Sequence, residues 1–164
     1  MNNQSKTTGK LVYAAVIAAL YVVLTLPFAS FAYGPIQFRF AEALCILPFF
    51  TPAAIPGLTI GCLLANLMGG AALWDVIFGS LATFIGAWFS YKLRGNEFLV
   101  CVPPILSNAI IIPFVLRYAY GAKELIPFMM LTVGIGEVIS VGILGTLLLK
   151  ALKPIRGTLF ADAM

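Results

Sequence analysis

Arg39 and Glu42 stand three residues apart in QFRFAEALCILPFF, residues 37–50, at the mouth of a long apolar run. That spacing puts guanidinium and carboxylate on one helix face, where they can pair with each other. A further carboxylate, Glu137, lies inside VGIGEVISVGILG with no cation nearby in its own segment. Such a group needs a cation, a hydrogen-bond donor or a proton, because an isolated buried charge is costly. Asn66 and the pair Trp74-Asp75 lie on either side of Gly69-Gly70, and Ser107-Asn108 interrupt another apolar stretch. The chemistry on offer is recognition: carboxylates accept, amides donate and accept, a guanidinium donates. Enzymatic chemistry has no comparable support. The chain has no histidine, the commonest catalytic base and metal ligand. GxSxG, HExxH and Walker lysine motifs are absent, so neither a catalytic set, a metal site nor a cofactor is expected in this chain. An intramembrane enzyme built on Arg39, Glu42 and Glu137 is an alternative that no spacing asks for.

The elements that must position these groups are membrane spans. Of 164 residues, 62% are hydrophobic and only 10% charged, whereas a soluble domain carries about 25% charged residues. A chain this small could not hide so much apolar surface in a soluble fold, so a single all-α transmembrane domain is expected. Apolar segments predict spans over about 11–28, 35–50, 53–69, 73–91, 98–116 and 125–149. The N-terminal run resembles a secretory signal but continues to about Pro27, longer than a signal core, so a first transmembrane helix is expected. The second apolar run is too short to cross alone. It must begin near Gly34-Pro35 or be a partial helix covered by protein. With six spans, Lys6, Lys10, Lys92, Arg94, Lys150, Lys153 and Arg156 share one side, against Arg39, Arg117 and Lys123 on the other. The positive-inside rule then puts both termini in the cytoplasm.

On this topology the polar groups gather at one depth. Glu137 lies about twelve residues into the sixth span, about 18 Å from its outer end at 1.5 Å per residue. Arg39, Glu42, Asn66, Asp75 and Asn108 fall in the middle or outer half, and the inner half is nearly bare. A pocket open to the outside fits this pattern; a continuous pore does not. Each group also has a plainer reading. Arg39 and Glu42 pair only with each other; Asp75 is an interfacial helix cap; Asn66 and Asn108 are interhelical hydrogen-bond glue; Trp74, Tyr118 and Tyr120 are belt aromatics. Cys45, Cys62 and Cys101 read as small buried hydrophobes. In the first span, Ala14 with Ala18 and Ala15 with Ala19 repeat a small residue every four, which allows close approach by another helix, inside or outside the chain.

Four stretches carry a resemblance to a known family: YGPIQFRFAEALCILPFFTPAAIPGLTIGCLLANLMGG, ALWDVIFGSLATFIGAW, SNAIIIP and GEVISVGILG. Together they resemble the QueT family, substrate-binding S components of energy-coupling factor (ECF) transporters assigned to queuosine-precursor uptake. The resemblance implies a six-helix S-component bundle in a bacterial cell membrane. Its partners would be a transmembrane coupling protein and two cytoplasmic ATPases, which use the ATP; no nucleic-acid partner is implied. It implies that Ala14, Ala15, Ala18 and Ala19 face the coupling protein, and that substrate binds near the outer face. A 7-deazaguanine presents a ring N–H beside an amino group, and a carboxylate can accept from both. Glu137 is the first choice for that role and Glu42 the second. Asn66 or Asn108 would meet the carbonyl edge, and Trp74, Phe38 or Tyr33 would stack on the ring. Asp75 or Glu42 would meet an aminomethyl cation, with Arg39 orienting a carboxylate. The alternatives are an S component for another vitamin-like solute and an integral membrane protein with no transport role.

Overall fold

Backbone polar groups in hydrocarbon must be satisfied within the chain, and helices do this segment by segment. The computed structural model describes residues 3–28 and 39–161, with side chains from Thr7 onward, and every regular element in it is helical. In chain order these are α1 (Asn3–Thr25), a 3-10 helix (Phe40–Phe49), α2 (Ala54–Met68), α3 (Leu73–Lys92) and α4 (Val102–Ala119). Then come α5 (Ile126–Glu137), a π-helical segment (Val138–Gly145), α6 (Thr146–Leu152) and the short α7 (Arg156–Leu159). Among the described residues, four stretches are long and apolar enough to cross a membrane: Thr7–Phe28, Leu73–Lys92, Leu99–Ala119 and Ile126–Leu159. Phe40–Phe49 and Ala54–Met68 are apolar but shorter. The last rod runs ten residues past its expected end at 149, because helix resumes beyond the turn at Lys153–Ile155.

The second apolar segment is the centre of the molecule. Its described part is a 3-10 helix whose Ala41, Glu42, Leu44, Cys45, Ile46, Leu47 and Pro48 are buried. It packs against α1, α2, α3 and the π segment. Runs of 3-10 helix beyond three or four residues are uncommon. At about 2.0 Å rise per residue, ten residues reach about 20 Å, some 5 Å more than an α-helix would. The π segment that packs on it is also a departure from α geometry. Their close approach depends on Gly145, where a Cβ would lie 2.8 Å from Ile46 Cγ2.

Small residues seat α2 on α1. A Cβ at Gly57 would fall 2.8 Å from the Ala14 carbonyl oxygen, and one at Gly61 would fall 2.8 Å from Tyr21 Cβ and 3.0 Å from Ala18 Cα. Ala14 and Ala18 are therefore buried within the chain itself, while Ala15 and Ala19 lie on the exposed face beside Val16 and Val23. The expectation that all four alanines face a partner is corrected for Ala14 and Ala18: α2 already covers them. At the end of the bundle that holds the start of α1, the chain folds back on itself. Tyr13 Oη donates to the Leu159 carbonyl at 2.6 Å, and Phe160 stacks on Phe50 with ring centroids 5.0 Å apart.

Candidate functional site

Helical periodicity selects which side chains meet inside the bundle. On α3, Asp75, Val76, Gly79, Ala82, Thr83 and Gly86 point inward. On α1 the inward stripe is Ala14, Ile17, Ala18, Tyr21 and Thr25. On the last rod, Glu137 and Ser140 are three apart and both buried. Arg39, Glu42, Asn66, Asp75, Asn108 and Glu137 are all buried, so the structure encloses every ionisable or amide residue proposed for the site that falls among the described residues.

Glu42 is saturated. Tyr21 Oη donates to its Oε1 at 2.5 Å, and the Cys45 thiol donates to its Oε2 at 3.0 Å. The expected helix-face pair of Arg39 with Glu42 gives way to a different arrangement, in which the Arg39 guanidinium lies 3.9 Å from Asp75 Oδ2. Glu42 is drawn inward by its own two donors. Cys45 and Cys62 are thus more than small hydrophobes, since the Asn66 amide also contacts Cys62 Sγ, at 3.7 Å.

Asp75 is buried, and the capping position of α3 belongs to Ala72, so the interfacial-cap reading is set aside. Its Oδ2 accepts from Tyr120 Oη at 2.9 Å, and Tyr120 Oη in turn accepts from the Ala72 N–H at 3.1 Å. Asn66 Nδ2 donates to the Asp75 carbonyl oxygen at 3.4 Å. The turn between α2 and α3 makes this possible. Gly70 takes a left-handed φ of 72°, and the Ala71 N–H returns to the Asn66 carbonyl at 2.9 Å. Arg39, Asp75 and Tyr120 so tie three separate stretches of chain together at this end of the bundle.

Glu137 is the opposite of Glu42. It is 5% exposed, and its Oε2 has no hydrogen-bond partner. Asn108 stands beside it and feels its charge, as do Glu42 and Arg39. Yet the Asn108 amide nitrogen and the Ser140 hydroxyl are also without partners, as is Asp75 Oδ1. Asn108 is nonetheless close enough to Glu137 to act on its carboxyl as a side-chain hydrogen-bond partner. Three carboxyl groups, one guanidinium and the amides of Asn66 and Asn108 share this interior.

The remaining candidates lie elsewhere. Trp74 is 57% exposed and stacks on Phe78 at 5.8 Å. Both belong to an apolar groove of about 570 Å³ on the outside of α3 and α4, away from the buried cluster. Consecutive residues on a helix point about 100° apart, so with Asp75 turned inward Trp74 cannot follow it. Trp74, expected to stack on a ligand, is therefore not brought together with the buried polar residues. Phe38 and Tyr33 lie outside the described residues. Tyr21, Cys45, Tyr120 and Ser140 were missed by reading the sequence. Tyr21 and Ser140 had a signal: each continues, at a spacing of three, a stripe already marked by Ala14-Ala18 or by Glu137. Among the described residues no group of His, Cys, Asp or Glu could hold a metal ion.

The comparisons with known proteins agree with one another. The family model described as QueT transporter matches residues 11–154. The "Queuosine precursor transporter QueT" of Lactococcus lactis subsp. cremoris (strain MG1363) is 42% identical over 81 residues, 48% of this chain and 47% of that protein. The match therefore spans about half the length of that curated relative. No solved structure matches.

Proposed function

This chain belongs to the QueT transporter family, and from that premise we propose that it is a membrane substrate-binding component capturing a queuosine precursor, a 7-deazaguanine. The observation that carries the ligand assignment is the unfilled polar set at Glu137, Asn108 and Asp75. An oxygen on each of Glu137 and Asp75 and the amide nitrogen of Asn108 suit a ligand that presents N–H groups beside a carbonyl. A 7-deazaguanine has that composition. Glu137 accepts from the ring N–H and the 2-amino group, and Asn108 donates to the carbonyl. An aminomethyl cation on the ligand meets Asp75 Oδ1, which has no hydrogen-bond partner, in preference to Glu42, each of whose oxygens already accepts one bond. Arg39 holds Asp75 in place.

The wider assembly in this reading is an ECF-type importer. Six helices cross the membrane, both termini face the cytoplasm, and a coupling protein with two cytoplasmic ATPases drives delivery inward using ATP. The exposed Ala15 and Ala19 face of α1 supports this, since small residues there leave room for a helix from outside the chain.

The test is a binding panel on purified protein, comparing queuine, its aminomethyl and cyano precursors, riboflavin, thiamine and biotin by calorimetry. The mass of any co-purifying ligand is read in parallel. Micromolar or tighter binding confined to the deazaguanines is expected. Binding of a vitamin with no deazaguanine response would replace the substrate assignment.

A further inference from the structure

The opposite end of the bundle carries a cavity that the transport reading leaves unused. Its volume is about 1010 Å³, and its lining includes Lys10 from α1, Lys92 and Arg94 from the end of α3, and Arg156 from α7. Beneath these cations lies an aromatic floor that includes Phe50, Tyr91 and Phe160. Among the described residues, none lining it is acidic. Glu97, the acid in the adjoining turn, is ion-paired with Lys153 instead. Four cations from separate parts of the chain therefore share one cavity with no counter-charge among its described lining residues. Like charges held this way repel unless an anion joins them.

We propose that this cavity binds the headgroup of an anionic phospholipid, with a diphosphate lipid such as cardiolipin favoured. Position is the first argument: the cations sit where two apolar helices meet the aqueous boundary, Lys10 in the first turns of α1 and Lys92 as the last residue of α3. Phosphates of a surrounding leaflet lie at that level. Charge is the second, because basic pockets between transmembrane helices are suited to cardiolipin-type headgroups. Two phosphates match four cations better than one does. Composition is the third: a cavity lined by aromatic rings as well as cations suits a phospholipid, whose upper acyl carbons are apolar, and suits a free inorganic anion poorly. Arg94 already lies 4.4 Å from the Tyr91 ring centroid, and Lys92 lies 5.4 Å from that of Trp88, so rings on α3 position two of the four charges.

The experiment is native mass spectrometry of the detergent-released chain, equilibrated with cardiolipin, phosphatidylglycerol or phosphatidylcholine. Retention is expected in the order cardiolipin, phosphatidylglycerol, phosphatidylcholine. Each cation removed should weaken cardiolipin retention about fivefold. The triple variant Lys10→Ala, Arg94→Ala, Arg156→Ala should therefore lose it almost entirely. Arg94→Lys, which keeps the charge, should retain the lipid and shows that any loss is not misfolding; melting temperatures of all variants are read alongside. Arg117→Ala with Lys123→Ala, at the opposite end, should change nothing. Equal retention of phosphatidylcholine, or full cardiolipin retention by the triple variant, overturns the proposal. Displacement by inorganic pyrophosphate at lipid-equivalent concentration would make this a soluble-anion site and also overturns it. So would absence of bound lipid where the same cations are needed for co-purification with a partner protein, since the surface would then be a protein interface.

Discussion

Two buried glutamates lie within electrostatic reach of each other and differ in almost everything else. Glu42, on the central 3-10 helix, has a donor on each oxygen, supplied by Tyr21 and Cys45. Glu137, where the last rod changes from α to π geometry, has an oxygen with nothing on it, next to an idle amide and an idle hydroxyl. A buried polar atom without a partner costs free energy, so an idle set in one place calls for an explanation. On the proposed function the contrast separates scaffold from site: one wall of the cluster is finished by the protein, and the other is the wall assigned to the ligand. Departures from α geometry lie on both sides of this divide, and π segments are frequent at functional sites.

The sharpest way to break this contrast is Glu137→Gln. The substitution keeps the shape and removes the charge-assisted acceptor pair. It should weaken deazaguanine binding by about 3 kcal/mol, roughly 100-fold. The melting temperature in detergent should hold or rise, because no protein donor to Oε2 is lost. A protein that instead unfolds, or that binds normally, would make Glu137 a structural residue and merge the two walls into one.

Glu42→Gln tests the finished wall and should give the reverse result. One amide oxygen cannot replace two carboxylate acceptors, so either Tyr21 or Cys45 loses its partner. A stability loss of about 2 kcal/mol is expected, with ligand affinity changed far less than by Glu137→Gln. Tyr21→Phe should destabilise by a similar or smaller amount. The double variant should cost less than the sum of the two, because both remove the same bond. Strict additivity would show that the Tyr21 to Glu42 hydrogen bond contributes nothing.

Much of this site is legible in the sequence and part of it is not. Counting residues along apolar runs placed Glu42, Asn66, Asp75, Asn108 and Glu137 at a common depth, and the structure buries them all. Depth is one coordinate; direction around the helix is another. Trp74 has the right depth and the wrong direction, yet the α3 pattern held the answer. Asp75, Gly79, Thr83 and Gly86 form one stripe, and Trp74, Phe78, Leu81 and Trp88 form the other, which is exposed. The pairings of Arg39 and Glu42 were less legible: Tyr21 continues the Ala14-Ala18 stripe, but Cys45 looks like a hydrophobe, and the approach of Arg39 to Asp75 joins two segments whose relative placement no spacing reveals. Nor does FAEALCILPF or VISVGILG announce 3-10 or π geometry. Both read as ordinary apolar helix, and their hydrogen-bond pattern is settled by how closely they pack through Gly145.

Ser140→Ala is a gentler probe of the unfinished wall. Its hydroxyl has no partner, so removal should leave stability unchanged or slightly improved. If the hydroxyl meets ligand, affinity should fall by about 1 kcal/mol, roughly fivefold. An unchanged affinity would confine the ligand-facing set to Glu137, Asn108 and Asp75.

The smallest expected effect is also the most discriminating. Trp74→Leu replaces an exposed ring that stacks on Phe78 in an apolar groove facing away from the cluster. Substitutions on such a surface usually change free energies by no more than about 0.5 kcal/mol, so ligand affinity should stay within roughly twofold. Asp75→Asn, one residue along the chain, should behave differently. It removes a carboxyl that Arg39 and Tyr120 hold and that keeps one oxygen free. Adjacent residues with opposite outcomes are what a stripe of helix facing the cluster requires. If Trp74→Leu costs tenfold in affinity while Asp75→Asn costs nothing, the ligand lies in the outer groove and the buried acids are scaffold on both walls.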